Sequence, residues 1–585
     1  MTPPAGASRQ GFFFARSTSP QEDHDMPRLS GAQIIIHQLE RHGIRTVTGI
    51  PGGANLPLYD ALADTTAIRH VLARHEQGAG FIAQGMARST GRPAVCFATS
   101  GPGATNVLTA LADAYLDSIP LVCITGQVPR SLLGTDAFQE VDTYGMSMPI
   151  TKHNYLARSA AELLTMVPKA LRLAGSGRPG PVLIDVPKDV QTEVVEFAAW
   201  PEPCPTADHR PGDEQAIAQA AAMINGATRP ILYLGGGVIH AGAAAAARQL
   251  AEQAAIPAVM TLMGLGILPS DHPLSLGMLG MHACRATNLA MEECDVLIAA
   301  GVRFDDRATG RISAFCPNAK VIHVDIDASE IGKLRPADAG ITSDAGRAFA
   351  GLLPLIRPRR RGQWNERIRQ LRRDFPCFPA QNFAPGKPFQ LIRRIAELAG
   401  PEALISTDVG KHQMWVAQAY PFTAPRQLLT SGGLGTMGFG LPAAIGASLA
   451  FPGRPVVCFS GDGSLQMNIQ ELATAVEQQT PVRIVVLNNR SLGLVRQQQR
   501  LFYDQRYFAS SYGIAVDFAT IARGFGMRAF DLDGAAEPDR LLRQAMAEPG
   551  PCLINVPIDI EEEVTPMVPP GAANTTMIGD DYARN

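Results

Sequence analysis

Gly461-Asp462-Gly463-Ser464 closes an apolar run at 455–460, and Asn489 closes a second apolar run at 484–487. A helical pattern separates the two runs, which predicts a strand, a helix and a second strand. Because neighbouring parallel strands end at the same edge of a sheet, we expect Asp462 and Asn489 to face one crevice. Two oxygen ligands there suit a hard divalent cation that keeps positions for phosphate oxygens and water.

The Gly-Asp-Gly sequence taken alone has a second interpretation, because Asp-Gly pairs are ordinary turn chemistry. The second turn, at the end of the next predicted strand, is the observation that favours a binding site. The helix between the two strands is predicted over 467–478.

Length, charge and cysteine content exclude several classes of protein. A chain of 585 residues is too long for one hydrophobic core, and 46% hydrophobic with 18% charged residues is typical of a globular protein. A net charge of −3 gives no basis for binding nucleic acid or an anionic membrane. No apolar run reaches the ~18 residues of a membrane span. Nine cysteines without a Cys-x-x-Cys pair favour a reducing compartment, and we expect a cytoplasmic protein.

Strand and helix patterns alternate along the chain, which predicts an α/β protein built from parallel, doubly wound sheets. A polar, proline-rich stretch at 200–211 reads as a linker. Met1 and Met26 are alternative starts. The predicted divisions are a disordered tail at 1–28, domains at 29–195, 213–356 and 388–560, and a C-terminal tail at 561–585.

Glycine-rich turns follow strands in the first two domains. Ser100 to Asn106 opens a helix, and Gly235-Gly236-Gly237 follows an apolar run at 231–234. Glycines let a backbone approach a ligand, and a helix N-terminus favours anions. Each of these turns is a weak signal by itself.

The pair of turns at Asp462 and Asn489 resembles the diphosphate-anchoring motif of thiamine-diphosphate (ThDP) enzymes. Such enzymes need a carboxylate against N1′ of the aminopyrimidine, so that its amine can take the C2 proton of thiamine. Glu76, in Arg74-His75-Glu76 after an apolar run at 68–72, is the candidate. Taken alone, a Glu at a helix start is more often a solvated residue near the helix dipole.

Eight motifs occur in one order between residues 29 and 570: Pro51-Gly52-Gly53, Arg74-His75-Glu76, Ser100-Gly101-Pro102-Gly103-Ala104-Thr105-Asn106, Gly134-Thr135-Asp136-Ala137-Phe138-Gln139-Glu140, Gly177-Arg178-Pro179-Gly180-Pro181, Arg303-Phe304-Asp305-Asp306-Arg307, Thr430-Ser431-Gly432-Gly433-Leu434-Gly435-Thr436-Met437-Gly438 and Gly461-Asp462-Gly463-Ser464. Together they resemble the acetolactate synthase (acetohydroxyacid synthase) catalytic subunits, a family of ThDP enzymes. The ending at 566–572 most resembles the bacterial isozyme I branch.

The resemblance implies the ThDP-enzyme architecture: a pyrimidine-binding (PYR) domain at 29–195, a central FAD-binding Rossmann-like domain at 213–356 and a diphosphate-binding (PP) domain at 388–560. It implies a transferase that decarboxylates pyruvate on ThDP. The hydroxyethyl unit passes to a second pyruvate or to 2-oxobutanoate, giving 2-acetolactate or 2-aceto-2-hydroxybutanoate in branched-chain amino acid biosynthesis. The implied cofactors are ThDP, Mg²⁺ and FAD. The implied partners are a second copy, in a homodimer or homotetramer, and a small regulatory subunit.

The resemblance also implies sets of site residues. The catalytic set is Glu76, Gln139, Lys188, Arg307 and Gln498, with Ala54 and Phe138 beside the substrate channel. The ThDP set is Gly53, Glu76, Pro102, Asn106, Val409, Gly410, Lys411, His412, Gly435, Met437, Asp462, Gly463, Ser464, Asn489, Leu492, Gly493 and Leu494. The FAD set is Arg178, Gly235, Gly236, Thr261, Leu262, Met263, His282, Arg303, Arg307, Asp325, Ile326 and Asp344. The Mg²⁺ ligands are Asp462, Asn489 and the main-chain carbonyl of Ser491.

The sequence departs from the family pattern at two positions. Lys411 stands where most members have Gln, and its ammonium either adds affinity for the diphosphate or points to solvent; the second is slightly favoured. Gln498 stands where many members have Trp against the extra methyl group of 2-oxobutanoate. Losing one methylene contact forfeits ~1 kcal/mol of discrimination, which predicts a weak preference for 2-oxobutanoate. The alternative is that Gln498 lies outside the pocket.

Three other functions are weighed against the synthase. A ThDP-dependent decarboxylase or pyruvate oxidase would share Glu76 and Asp462. A nicotinamide- or FAD-dependent oxidoreductase would use the glycine-rich turns. A non-catalytic FAD-binding protein would keep any measured activity after Glu76→Gln.

Overall fold

The computed structural model describes residues 26–201, 213–377 and 383–579. These residues form three six-stranded sheets in which every strand pairing is parallel, each flanked by helices. The predicted α/β class with three doubly wound parallel sheets is confirmed.

The first sheet has the order β3-β2-β4-β5-β7-β6, and β1 pairs antiparallel with β8 beside it. The strands of the first domain are β1 (Arg28–Ser30), β2 (Thr46–Gly49), β3 (Arg69–Leu72), β4 (Ala94–Ala98), β5 (Leu121–Gln127), β6 (His153–Leu156), β7 (Val182–Pro187) and β8 (Val194–Glu196). Its helices are α1 (Gly31–Arg41), α2 (Leu56–Ala63), α3 (Glu76–Thr90), α4 (Pro102–Leu116), α5 (Thr143–Ser147), α6 (Ala160–Gly175) and α7 (Lys188–Thr192).

The second sheet has the order β11-β10-β9-β12-β13-β14, which is the strand order of dinucleotide-binding folds. Its strands are β9 (Pro230–Leu234), β10 (Ala258–Met260), β11 (Ser275–Met278), β12 (Val296–Ala300), β13 (Lys320–Asp325) and β14 (Ala339–Thr342). Its helices are α8 (Glu214–Gly226), α9 (Gly236–His240), α10 (Ala244–Ala254), α11 (Arg285–Glu293), α12 (Asp306–Thr309), α13 (Ala345–Leu352) and α14 (Gly362–Asp374).

The third sheet has the order β16-β15-β17-β18-β20-β19, the same relative order as the first. Its strands are β15 (Leu404–Thr407), β16 (Leu428–Leu429), β17 (Val456–Gly461), β18 (Val482–Asn488), β19 (Arg528–Asp531) and β20 (Cys552–Pro557). Its helices are α15 (Pro388–Ala399), α16 (Lys411–Ala419), α17 (Gly440–Ala450), α18 (Asp462–Leu465), α19 (Glu471–Glu477), α20 (Gly493–Phe502), α21 (Phe518–Gly524) and α22 (Pro538–Met546).

The apolar runs form strands that are buried along most of their length. Apolar residues suit both faces of these strands because helices cover both faces of each sheet. The helix predicted over 467–478 is wrong in its extent. The chain turns helical at Asp462 itself, leaves the helix after Leu465, and forms a second helix only at Glu471–Glu477. Asn468 lies in the break, where its side-chain amide donates to the carbonyl of Gly438 at 2.8 Å.

The two predicted tails are only partly within the described residues. Positions 1–25 and 580–585 lie outside them, as do residues 202–211 of the linker predicted at 200–211, whereas Arg28 already belongs to β1. The stretch at 561–579 is not a free tail. Its Val564, Met567 and Val568 are buried, and the Val568 N–H donates to the carbonyl of Met281 in the second domain at 2.8 Å.

Five of the cysteines show two different states, and the lengths of the helices bear on the possibility of a membrane span. Cys96, Cys123 and Cys458 are fully buried in strands, as expected for small apolar fillers. Cys284 and Cys377 form a disulfide, with 5.3 Å between their Cα atoms, a pairing that the sequence did not predict. Among the described residues, no helix is both long and apolar enough to cross a bilayer.

Candidate active site

The predicted site residues gather where the strand order of each sheet reverses direction. In the third sheet this point lies between β15 and β17, which lead into Val409-Gly410 and Asp462. In the first sheet it lies between β2 and β4, which lead to Gly53 and Pro102. Open parallel sheets bind ligands in the crevice outside such a switch point, because the two flanking loops separate there.

Two of the predicted metal ligands converge on one point. The Asp462 Oδ2 and Asn489 Oδ1 atoms each accept a hydrogen bond from the Ser491 N–H at 3.1 Å. All three residues are buried, and burial raises the pKa of Asp462 to about 6. A cation would remove this cost by compensating the carboxylate charge. No group of three or more His, Cys, Asp or Glu side chains with metal-site spacing occurs in the described ranges. The predicted ligand set accordingly has one acid, Asp462, and two neutral oxygens, from the Asn489 side chain and the Ser491 carbonyl.

The turn after β15 provides the groups that fit a diphosphate. Gly410 has a φ of 150°, and α16 begins directly after it with Lys411 and His412. Burial lowers the pKa of His412 to about 3, so its ring is neutral. Its Nε2 atom is buried and has no hydrogen-bond partner among the described residues. An unpartnered ring nitrogen beside the metal-ligand turn is a buried polar atom that a bound ligand would satisfy.

The Gly-Asp-Gly-Ser turn is held against that loop. The Ser464 hydroxyl donates to the carbonyl of Val409 at 2.7 Å. A side chain at Gly461 would overlap the His412 ring, and one at Gly463 would overlap the Tyr512 hydroxyl. The glycines at these two positions therefore let the turn pack closely against His412 and Tyr512.

Lys411 corrects the expectation of a solvent-pointing side chain. Its residue is 4% exposed, and its Nζ donates to the carbonyl of Glu562 at 2.6 Å. Its methylene groups pack on Gly493 at the start of α20. Burial lowers the pKa of Lys411 to about 8. The ammonium is therefore committed to the C-terminal stretch.

Glu76 is the first residue of α3 and is half-buried. The Asn106 side-chain amide donates to its Oε2 atom at 3.0 Å. Its Oε1 atom faces Gly103 in the first turn of α4, whose N-cap is Gly101. Gln139, with a φ of 60°, packs on Gly101 of the same turn. The first domain thus brings Glu76, Pro102, Asn106 and Gln139 together; Gly53 and Ala54 lie in the turn before α2, and Lys188 begins α7.

Helix α20 and the loop before α17 present the remaining predicted ThDP residues. Leu492, Gly493 and Leu494 form the half-buried start of α20, and Gln498 is exposed one turn further along. Gly435 and Met437 lie in the loop at 430–439, where Gly435 has a φ of 71°. In the described part of the chain, the Glu76 carboxylate bonds to its own domain and not to these residues.

One cavity of about 720 Å³ lies at the switch point of the second sheet and extends to the third domain. It is lined by every predicted FAD residue except Gly235, which lies one residue before the lining residue Gly236. Three of its buried polar atoms have no partner in the described ranges: Thr261 Oγ1, Ser343 Oγ and His282 Nδ1. A large cleft with orphaned polar atoms on a dinucleotide-type sheet fits a flavin nucleotide.

The same cavity is also lined by Val409, Gly435, Leu494, Arg307 and Gln498. Gln498 thus lines this cavity, and its place in the substrate pocket stays a prediction. The Arg307 side chain is exposed and makes two long contacts: its Nη1 atom lies 3.7 Å from the Met281 sulfur, and its Nε atom lies 3.9 Å from Asp306 Oδ2. Its guanidinium is thus accessible to an acid that enters the cavity.

Comparison with known proteins agrees with this geometry. Three family models match: Thiamine pyrophosphate enzyme, N-terminal TPP binding domain, at residues 29–146; central domain, at 217–352; and C-terminal TPP binding domain, at 408–556. The chain is 59% identical to the acetolactate synthase isozyme 1 large subunit of Escherichia coli (strain K12), over 94% of this chain and 98% of that protein.

The chain belongs to the acetolactate synthase family. It is also 46% identical to the isozyme 2 large subunit of Escherichia coli (strain K12), over 94% of this chain and 99% of that protein. Its identity to acetolactate synthase 1, chloroplastic, of Zea mays is 44%, over 95% and 89%. The family resemblance that the eight motifs indicated is confirmed, whereas the roles of single residues and the domain limits stay predictions.

Several residues that shape this acetolactate synthase site gave no sequence signal. Asp408 is fully buried, and it accepts hydrogen bonds from the N–H groups of Val409 and Gly438 at 3.1 and 2.7 Å. Burial raises its pKa to about 6. Glu471, also buried, accepts from the N–H groups of Arg74 and His75 at 3.0 and 3.1 Å. The one local feature that could have identified any of them is an acid directly after an apolar strand, as at Asp408.

Proposed function

We propose that this acetolactate synthase-family chain decarboxylates pyruvate and joins the resulting two-carbon unit to a second pyruvate, giving 2-acetolactate. The observation that supports it most directly is the convergence of Asp462 Oδ2 and Asn489 Oδ1 on one N–H group, beside the orphaned His412 Nε2. That arrangement fits Mg²⁺ and a diphosphate at a switch point.

When bound, ThDP supplies the electron sink that makes loss of CO₂ from a 2-keto acid feasible. The side chains divide the remaining tasks. Asp462, Asn489 and the Ser491 carbonyl would hold Mg²⁺, and Gly410 and His412 would hold the diphosphate. Met437 and Leu494 would pack against the thiamine rings. The Glu76 carboxylate, fixed by Asn106, would hold a proton at the pyrimidine N1′ atom.

Two residues of the shared cavity would receive the acceptor. The exposed Arg307 guanidinium presents a planar fork that suits the carboxylate of the second keto acid. Gln498, which lines the same cavity, would face the alkyl end of that acid and accept pyruvate and 2-oxobutanoate with little preference. Gln139 and Lys188 complete the site from the PYR side. The flavin in the second domain would bind through the Thr261, Ser343 and His282 side chains.

The assembly is part of the proposal. The relatives are named large subunits, which favours a separate small regulatory subunit for this chain. Glu76 and the metal ligands lie in different domains, and their functional pairing is proposed to occur between two copies, in a homodimer or homotetramer. Phe138, beside Gln139, is 87% exposed in the single chain, which is consistent with cover from a second copy.

The test is a product assay from pyruvate, with and without ThDP and Mg²⁺. Formation of 2-acetolactate that needs both additions supports the proposal. Acetaldehyde as the sole product would indicate a decarboxylase, and oxygen-dependent acetyl phosphate formation would indicate an oxidase. Turnover that needs nicotinamide and not ThDP would indicate an oxidoreductase. A visible absorption spectrum of the purified protein reports whether FAD is retained.

A further inference from the structure

A buried ion cluster lies where the first domain meets the third. We name it the Arg88 cluster: Arg88 of α3, Asp113 of α4 and Asp117 at the end of α4. The Arg88 Nη2 atom lies 2.7 Å from Asp113 Oδ1 and 2.9 Å from Asp117 Oδ2. Their side chains are 4%, 0% and 1% exposed. Removing two carboxylates and one guanidinium from water costs free energy unless the remaining hydrogen bonds of these groups are satisfied.

Those remaining hydrogen bonds go largely to one loop of the third domain. Asp117 accepts from the N–H groups of Gly432 and Gly433 at 3.0 and 2.7 Å. Arg88 Nη1 donates to the carbonyl of Thr430 at 2.9 Å. The partners lie more than 300 positions away in the chain.

Asp113 holds the same loop at two further points. Its Oδ2 atom accepts hydrogen bonds from the Ser431 hydroxyl and, at 3.1 Å, from the Thr436 hydroxyl. The Ser431 hydroxyl in turn accepts from the Thr436 N–H at 2.8 Å. The two carboxylates of the cluster therefore fix both arms of a turn that ends one residue before Met437.

Apart from these bonds, the third domain anchors the loop at its two ends: Gln413 donates to the carbonyl of Ser431 at 3.1 Å, and Gly438 bonds to Asp408 and Asn468. Residues 430–439 connect β16 to α17 and contain neither helix nor strand. The loop is also closely packed, because a side chain at Gly432 would overlap the Met263 sulfur and one at Gly433 would crowd Leu116. A loop without its own backbone ladder takes its conformation from such side-chain anchors.

We propose that Asp117, together with Asp113 and Arg88, positions the loop at 430–438 so that Gly435 and Met437 meet the thiamine rings. The inference rests on the proposed function, and the three residues are positioning residues that do not touch the cofactor. The cluster lies in the first domain, so the PYR domain of a chain shapes the cofactor site of its own PP domain. Glu76 begins the helix that carries Arg88, about 18 Å away along the axis.

Asp117→Asn tests the proposal, because the amide keeps the size and presents a donor to at least one N–H group. Asp295→Asn is the matched control. Asp295 accepts from the successive N–H groups of Thr228 and Arg229 at 2.7 and 2.9 Å, as Asp117 does from the loop. It lies before β12, at the end of the second sheet away from the cavity.

Two measurements are made on the full-length protein below its unfolding temperature. Hydrogen exchange of peptides covering 430–438, without cofactor, is expected to be faster in Asp117→Asn and unchanged in Asp295→Asn. The dissociation constant of ThDP with Mg²⁺, measured by calorimetry, is expected to rise about tenfold in Asp117→Asn and less than about twofold in Asp295→Asn. Thr436→Val, which removes one bond to Asp113, is expected to give an intermediate change even if Asp117→Asn folds poorly.

Unchanged exchange in this loop, or equal loss of ThDP affinity in Asp117→Asn and Asp295→Asn, would overturn the positioning role. A wild-type protein that binds no ThDP would overturn the proposed function and, with it, this inference. Wild-type binding with an unaffected Asp117→Asn variant would overturn the inference alone. The two failures are therefore distinguishable.

Discussion

The Asn106 side-chain amide lies 3.0 Å from Glu76 Oε2 and fixes the carboxylate at the start of α3. The other carboxylate oxygen faces the backbone turn at Gly103. Asn106 is on α4 and Glu76 on α3, so the orientation of the acid depends on the packing of two helices. A carboxylate held in this way can keep one geometry when a heteroaromatic nitrogen approaches it.

Glu76→Gln is expected to lower kcat by ~10²–10⁴ because it removes the acid that would hold a proton at N1′. The change leaves the diphosphate and metal residues untouched, so the dissociation constant of ThDP should rise much less than kcat falls. Steady-state kinetics with pyruvate and calorimetry with ThDP measure the two effects. Activity equal to wild type would contradict the assigned role and support a non-catalytic protein.

Mixing two inactive variants tests whether each site is shared between copies. In a mixed dimer of Glu76→Gln and Asp462→Asn chains, one site carries both substitutions and the other carries neither. If subunits assort at random, about a quarter of the wild-type activity should return on co-expression. Each variant expressed alone is the control. A co-expressed sample as inactive as its components would show that Glu76 and Asp462 do not act across an interface.

The elements of the fold were largely predictable, whereas the anchors of the site were not. Continuous apolar runs such as Val456–Gly461 and Val482–Asn488 predict buried parallel strands, because both faces of each strand are covered. The bonds from Asp117 to Gly432 and from Glu471 to Arg74 join positions more than 300 residues apart. Pairings at such separation leave no periodic or local pattern, so an isolated Asp in α4 looks like any polar residue.

Asp185 gives a prediction about stability and pH. It is 1% exposed, accepts from the Thr125 hydroxyl at 2.7 Å and from Gln127 at 3.1 Å, and burial raises its pKa to about 7. An unfolded Asp has a pKa near ~3.9. Between these values the folded protein binds a proton that the unfolded chain releases, so this residue's contribution to the unfolding free energy falls as pH rises.

The stability of the wild-type protein relative to Asp185→Asn is therefore expected to be about 3 kcal/mol greater at pH 5 than at pH 8. Urea unfolding of both proteins at the two pH values measures the difference, since the midpoint and slope give the free energy. Parallel pH profiles for the two proteins would show that Asp185 keeps its usual pKa.

Gln498→Trp tests which side chain sets the choice of the second keto acid. Gln498 lines the cavity that also contains Arg307, so a larger apolar side chain there can meet the extra methylene of 2-oxobutanoate when Arg307 binds the carboxylate. One buried methylene contributes ~1 kcal/mol, which is a several-fold gain in the rate ratio. Competing equal concentrations of pyruvate and 2-oxobutanoate in one reaction measures that ratio.

Gln498→Leu should give a smaller gain and Gln498→Ala none, because apolar contact area decreases in that order. A wild-type protein that already forms a large excess of 2-aceto-2-hydroxybutanoate, or a ratio that Gln498→Trp leaves unchanged, would show that another residue controls the choice.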